Sequence, residues 1–120
     1  MYNDILTISC GVHSSIDSIP DYRIVYFNTE ARASITGNIR TGFGNTADST
    51  NTVAGITKFG FGKEVAVTVL GTMLVEVAPG QTIEVGTELG TDEVGRSTAD
   101  GGTGIIAITK GSRYVTALLR

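Results

Sequence analysis

The chain has 120 residues, a net charge of −3 at pH 7 and an isoelectric point near 5.0; this suits one domain and argues against a nucleic-acid-binding protein, whose surface is usually basic. Its single cysteine, Cys10, excludes an intramolecular disulfide. No stretch approaches the roughly 18 apolar residues of a membrane span or resembles a signal peptide, so we expect no membrane association and production inside a cell.

The composition favours β-structure. Valine, isoleucine and threonine make up 40 of the 120 residues, and glycine contributes 16. β-Branched side chains suit the pleated surface of a sheet, and frequent glycine suits tight turns. Near the N-terminus, residues 5–10 predict a strand with Leu6, Ile8 and Cys10 on one apolar face, and residues 23–27 predict a second strand.

A polar tract follows at residues 36–52, where glycine, asparagine, threonine and serine predominate. Ile39 and Phe43 are its large apolar residues, so it cannot form a core of its own. We expect a long loop or arm that is partly mobile in the free subunit and becomes ordered against a neighbour.

The second half of the chain has the clearest strand patterns. Residues 64–69 and 73–77 each alternate apolar with other residues, and Leu70-Gly71 between them predicts a hairpin turn, with Val67 buried. Further predicted elements are a turn at 78–80, short strands at 83–85 and 87–89, a weak strand near Arg96, a strand at 105–108 and a last strand, apolar on both faces, at 114–119.

These elements predict an all-β fold: a small β-barrel or sandwich of short antiparallel strands with an irregular N-terminal arm or loop. We expect residues 1–120 to form a single domain. Residues 1–52, approximately, would be the N-terminal strands and arm, and residues 53–120 the β core.

Reactive residues do not form a recognisable catalytic or metal pattern. Cys10 and His13, with Asp17 and Asp21 nearby, offer a nucleophile, a base and an orienting group. The strand pattern instead makes Cys10 a small buried hydrophobic residue. One His and one Cys cannot build a structural zinc site, which needs four ligands. We predict no catalytic, metal or cofactor-binding residues, and hence no enzyme.

Two other patterns also fail to support chemistry. The glycines at 55 and 60 begin a phosphate-loop pattern, but Phe61 and Gly62 stand where Lys and Ser or Thr are needed. Carboxylate pairs occur at Glu84 with Glu88 and at Asp92 with Glu93, in turn-rich segments that do not predict the burial needed for acid catalysis.

Residues 55–118 resemble phage capsid decoration proteins of the small β-barrel type. In that family a Gly-hydrophobic strand precedes a V-x-V hairpin, a Gly-Arg or Gly-Lys turn and a Gly-hydrophobic-Ala strand. The matching segments here are Gly55-Ile56, Glu64-Val-Ala-Val-Thr-Val-Leu-Gly71, Met73 to Val77, Ile83-Glu-Val-Gly86, Gly95-Arg96, Gly104-Ile-Ile-Ala-Ile108 and Tyr114 to Leu118.

The resemblance implies a homotrimer on the outer surface of a virion capsid. It would be assembled in the host cytoplasm and would clamp adjacent major capsid proteins, without contact to nucleic acid or membrane. The residues we assign to partner contacts are Ile39, Arg40, Phe43, Phe59 and Phe61.

Two alternatives remain open on the sequence. Residues 79–89 resemble the Gly-x-x-Ile/Val-x-x-Gly-x-x-Leu step of biotinyl or lipoyl carrier domains, although Lys58, Lys63 and Lys110 lack the flanking residues of a modified lysine. The other alternative is a β-sheet enzyme subunit whose active site a partner completes.

Overall fold

A computed structural model describes residues 4–29 and 39–120. The regular structure of these residues consists of nine β-strands. Neither range contains a helix, which confirms the all-β class, and neither therefore holds a helix able to cross a membrane. The strands are β1 (Asp4–Val12), β2 (Ile24–Asn28), β3 (Arg40–Gly42), β4 (Ser49–Phe61), β5 (Glu64–Glu76), β6 (Gly90–Thr91), β7 (Ser97–Thr98), β8 (Ile106–Ala107) and β9 (Tyr114–Leu119).

The first five strands close into a barrel. β1 pairs antiparallel with β5 and parallel with β3, and the circuit continues through antiparallel pairs of β3 with β2, β2 with β4, and β4 with β5. Because β5 pairs with β4 on one edge and with β1 on the other, the sheet returns to itself and these strands have no free edge. Of the two architectures that the sequence allowed, the structure is the barrel.

β5 continues from the barrel into the C-terminal part of the chain. The predicted hairpin turn at Leu70-Gly71 is wrong, because β5 runs unbroken through both residues. Gly71 has a φ of 109°, a conformation that bends a strand and that glycine adopts without strain. The residues of β5 from Gly71 onward pair with β9. The hairpin turn lies instead between β4 and β5, at Gly62, whose φ is 59°.

The polar tract at 36–52 is the second correction. Residues 36–38 lie outside the described residues, and the loop or arm is the wrong interpretation at 40–42 and 49–52, which supply β3 and the start of β4, whereas residues 43–48 form the turn between these strands. Thr41 is fully buried: its carbonyl accepts from the His13 N–H, and its hydroxyl lies within hydrogen-bond reach of the Gly11 carbonyl. A polar strand needs no core of its own when it is hydrogen-bonded between two apolar neighbours, here β1 and β2.

Two hydrophobic clusters stabilise the fold. The barrel cluster contains Cys10, Val12, Ile19, Val25, Ala54, Val65 and Val67. The C-terminal cluster contains Ile24, Ile56, Met73, Val75, Val77, Ile83, Leu89, Ile105, Ala107, Val115, Ala117 and Leu119. β5 contributes its first half to one cluster and its second half to the other, so it joins them.

Burial follows the predicted strand faces in most places. Val67 and Cys10 are buried, as predicted, but Val67 pairs with Ile8 and Thr57 rather than with residues 73–77. Leu6 is 49% exposed, because irregular pairing on both sides of Leu6 interrupts the alternation of β1.

The C-terminal elements follow the prediction closely. β9 has the predicted bounds and is central in its sheet, with β5 on one edge and β8 on the other, as predicted. The predicted short strands at 83–85 and 87–89 form isolated bridges through Ile83 and Glu88 instead of continuous ladders.

Candidate functional site

One end of the barrel carries most of the residues that the sequence assigned to partner contacts. Arg40 on β3 pairs with Gly11, Gly11 pairs with Glu64, and Glu64 pairs with Phe61 on β4. With neighbouring strands about 4.8 Å apart, these register positions span roughly 14 Å. Strand pairing therefore brings residues 39–40 and 59–61, about twenty positions apart in sequence, to the same end.

The side chains at this end include two exposed apolar groups. Ile39 is 46% exposed and Phe59 is 72% exposed. We call Ile39, Arg40 and Phe59 the barrel-end surface, a set defined by strand register alone, since β2 lies between β3 and β4 around the barrel. Protein partners bind through such apolar side chains when they lie beside polar groups.

Arg40 lies flat across the outside of β1. Its guanidinium is so close to Gly11 that a side chain at this position would collide with it. The Arg40 Nε is buried and has no hydrogen-bond partner among the described residues. A buried donor of this kind is uncommon in folded proteins.

Phe59 has an unusual backbone. Its φ is 54°, in the left-handed region that bulky residues rarely adopt. The Lys58 ammonium lies 4.7 Å from the centroid of its ring, a cation–π contact that covers one face. Glycines follow Phe59 at positions 60 and 62, but the sequence does not predict a left-handed backbone at Phe59 itself.

The other two predicted contact residues are placed differently. Phe43 is half-buried and packs against the barrel cluster, with its ring close to Gly95. The side chain of Phe61 lies outside the described residues. Their role as partner contacts stays a prediction.

Cys10 and His13 do not act as a pair in the fold. Cys10 belongs to the barrel cluster, and burial raises the pKa of its thiol from 9.0 to about 11, so it is a poor nucleophile at neutral pH. The ring of His13 contacts Ser15 Oγ through Nδ1 at 2.6 Å and Asp48 Oδ2 through Nε2 at 3.3 Å. The N–H of Ser15 also lies 3.1 Å from Nδ1, so Ser15 contacts one ring nitrogen and Asp48 the other.

Sequence reasoning missed this serine–histidine–aspartate contact because Asp48 is 35 positions from His13. It joins the loop after β1 to the loop before β4. Asp17 and Asp21, the expected orienting groups, are exposed. Among the described residues, no three His, Cys, Asp or Glu side chains are arranged to hold a metal ion.

A polar cleft of about 500 Å³ lies between the barrel and the β6–β7 hairpin. The Tyr26 hydroxyl hydrogen-bonds Thr91 Oγ1 across it at 3.1 Å. Asp92, on the same side, is held by Arg96 through Nε and the backbone N–H. Partial burial alone would raise the pKa of Asp92, but these hydrogen bonds lower it below its ordinary value. The carboxylate is therefore used to stabilise the turn.

The lysines considered for a carrier domain can now be placed. Lys63 follows the turn between β4 and β5, but its Nζ donates to the Ile16 carbonyl, which ties it to the protein. Lys58 lies against Phe59, and Lys110 is 3.5 Å from Glu84. Lys63 and Lys110 are nevertheless exposed, so the carrier domain stays an alternative.

Comparison with known proteins gives a fold relationship. No family model matches the sequence, and no curated protein is similar to it. Among solved structures, the chain is similar to the N base of the head fiber gp8.5 of bacteriophage phi29, with a TM-score of 0.59 and 14% sequence identity. The similarity covers 96% of this chain and 93% of that one, so the two share a fold along almost their whole lengths.

Proposed function

We propose that this chain is a capsid decoration, or cement, protein that binds the outside of a phage head and stabilises contacts between major capsid proteins. Its fold is shared with the base of a phage head fiber along 96% of the chain, and its C-terminal half resembles β-barrel decoration proteins in sequence. A fold alone does not assign a function, so the proposal also needs a surface suited to binding.

The barrel-end surface is the observation that carries the proposal. It combines an aromatic ring that is 72% exposed with the exposed Ile39 and the guanidinium of Arg40, which lies against Gly11. Aromatic residues and arginine are the side chains most enriched at binding hot spots. Arg40 and Phe59 lie on hydrogen-bonded strands of the closed barrel, and groups held by such strands lose less conformational entropy on docking than groups on a free loop.

The role requires no bond-making chemistry. A clamp needs a stiff body and contacts to two neighbours, and each contact can be weak if several act together. We propose that the chain acts as a homotrimer, because three linked contacts raise the effective concentration at each site of a particle.

The test is binding to phage heads that lack the protein. Purified chain is mixed with such particles and separated on a density gradient, and the melting of the particles is followed with and without it. We expect co-sedimentation, a higher temperature of particle disruption, and a free species of three times 12.5 kDa by analytical ultracentrifugation. A chain that stays at the top of the gradient at saturating concentration would refute the proposal.

A further inference from the structure

The polar cleft between the barrel and the β6–β7 hairpin lies outside the barrel-end surface and has no part in the proposed function. Its volume is about 500 Å³, within the range of about 300–1,000 Å³ that small-molecule sites occupy. Its lining includes residues of β2, β4 and β6 and of the turns that follow β3 and β6. A cavity of this size can hold a ligand, and the chemistry of its lining decides which kind.

The strand β4 is deformed where it borders the cleft. Three of its residues, 50–52, lie opposite a single residue of β2, Phe27. Asn51, at the centre of this bulge, has a φ of 62° and lines the cleft. Asparagine and glycine tolerate this left-handed conformation better than other residues do. Because β-bulges re-aim a side chain and are frequent next to binding sites, the bulge is the feature of β4 that brings Asn51 to the cleft.

The ring of Tyr26 is held at the wall of the cleft. Its hydroxyl hydrogen-bonds Thr91 Oγ1 at 3.1 Å, which links the barrel to the hairpin. Gly44 lies against the ring so closely that an added Cβ would come within 2.8 Å of Tyr26 Cε1. Any side chain at position 44 would therefore collide with the ring, which borders the cleft as an aromatic surface in a fixed position. Such a surface packs against the C–H groups of a ligand.

The polar groups of the lining include amides and carboxylates. Asn45 and Asn51 each carry an acceptor oxygen and two N–H donors. Asp92 is already engaged, because both of its oxygens accept hydrogen bonds from Arg96. Glu93 is exposed in the same turn, so its carboxylate can accept hydrogen bonds from a ligand. The lining thus combines donors and acceptors with an aromatic ring.

We propose that this cleft binds a neutral saccharide unit. A sugar hydroxyl donates and accepts hydrogen bonds at once, which suits amides that lie beside a carboxylate. The C–H face of a sugar ring suits the aromatic surface of Tyr26. The inference does not depend on docking to a phage head, since the cleft shares no residue with the barrel-end surface.

Other ligand classes fit the lining less well. Among the described residues, the lining has no Lys, Arg or His but two carboxylates, so it repels phosphate, sulfate and other anions. Calcium takes roughly six to eight oxygen ligands, whereas no three Asp, Glu, His or Cys side chains of the described residues are arranged to hold a metal ion. A peptide strand would need a free backbone edge, and β2 is paired on both edges, by β3 and β4.

The test is an NMR titration of the isolated, nitrogen-15-labelled chain with glucose, galactose, mannose, N-acetylglucosamine and rhamnose. Dextran sulfate, calcium chloride and trialanine probe the three rejected classes. We expect one or more of the sugars to shift the amide signals of Asn45, Asn51 and Glu93, with a dissociation constant of about 1 mM. A neutral polysaccharide that contains the binding sugar is then titrated. Tighter binding per sugar unit would identify a polysaccharide as the source of the ligand, and equal binding would identify a free sugar.

Three variants test the assigned side chains. Asn51→Gly removes the amide and keeps the left-handed backbone, so it should melt within about 4 °C of the wild type and bind the sugar about tenfold more weakly. Glu93→Gln replaces the carboxylate with a neutral amide and should weaken sugar binding about threefold. Glu84→Gln is the matched control, because the Glu84 side chain is 63% exposed and lies outside the cleft, and it should bind as the wild type does.

The absence of shifts with all five sugars would overturn the inference, as would shifts confined to residues outside the cleft or wild-type affinity in Asn51→Gly. Stronger cleft shifts with dextran sulfate, calcium chloride or trialanine than with any sugar would assign the cleft to an anion, a cation or a peptide and would overturn it as well. All of these results would leave the proposed function standing, because that function is tested separately by binding to phage heads.

Discussion

The buried thiol of Cys10 makes the stability of the fold depend on pH in alkaline solution. Burial raises its pKa from 9.0 to about 11, because a thiolate inside the barrel cluster would lose its hydration. The unfolded chain therefore loses this proton at a lower pH than the folded one. The contribution of the neutral thiol to stability is complete well below pH 9 and is lost as the pH rises from 9 toward 11, by roughly 1–2 kcal/mol in all.

Urea unfolding of the wild type and Cys10→Ala at pH 7, 9 and 10 measures this effect. Tyrosines and lysines also titrate, but they are common to both proteins, so the difference between the two free energies isolates the thiol. At pH 7 we expect Cys10→Ala to be less stable by about 1 kcal/mol, from the lost sulfur contacts. That gap should shrink by about 1 kcal/mol at pH 10, which is enough to cancel it. A gap that does not change with pH would refute the reasoning, as would rapid alkylation of the native thiol.

Three further predictions follow from the packing. Val67→Asp should prevent folding, since an unpaired charge would enter the barrel cluster, and a normal circular dichroism spectrum with cooperative melting would contradict this. Gly111→Ala should lower the free energy of unfolding by about 2 kcal/mol or more, because the added Cβ would collide with the Tyr114 carbonyl. Gly80→Ala is the control: its Cβ would meet open space, so the free energy of unfolding should fall by only about 1 kcal/mol, because of the positive φ. The amide hydrogen of Thr41 should exchange about a hundredfold more slowly than that of Asn45 in the following turn, and equal rates would mean that β3 does not form in solution.

Local alternation predicted the strands whose pattern is complete within the strand itself. β9 and the buried face of β5 are examples: Val115 and Val67 are buried because side chains on a strand alternate between two faces. Gly71 is a position that local alternation could not assign correctly. A glycine after an apolar run fits a hairpin turn or a bend in one long strand, and only the distant partner β9 decides between them.

β3 could not be predicted because its support is remote in sequence. Arg40 and Thr41 pair with Gly11 and Val12 of β1, and a polar strand becomes stable only when such neighbours cover it. The candidate site could not be predicted for the same reason, because it too depends on residues remote in sequence. Composition identified Ile39 and Phe59 as apolar residues, but their position at one end of the barrel depends on the registers of β1, β3 and β5.

In the proposed role the chain must keep its shape when its contacts are pulled, and β5 is the strand through which such a load would pass. Its first half is hydrogen-bonded to β1 and β4, and its second half to β9, so the two hydrophobic clusters cannot separate without breaking its ladders. Arg23 adds a cross-link, donating to the Glu76 carboxylate at 3.1 Å and to the Val94 carbonyl at 3.0 Å. The Arg23 side chain is only 14% exposed, which screens this ion pair less than one on the open surface. Force applied at the barrel-end surface would thus reach the C-terminal cluster through backbone hydrogen bonds and a partly buried ion pair, as a rigid structural subunit requires.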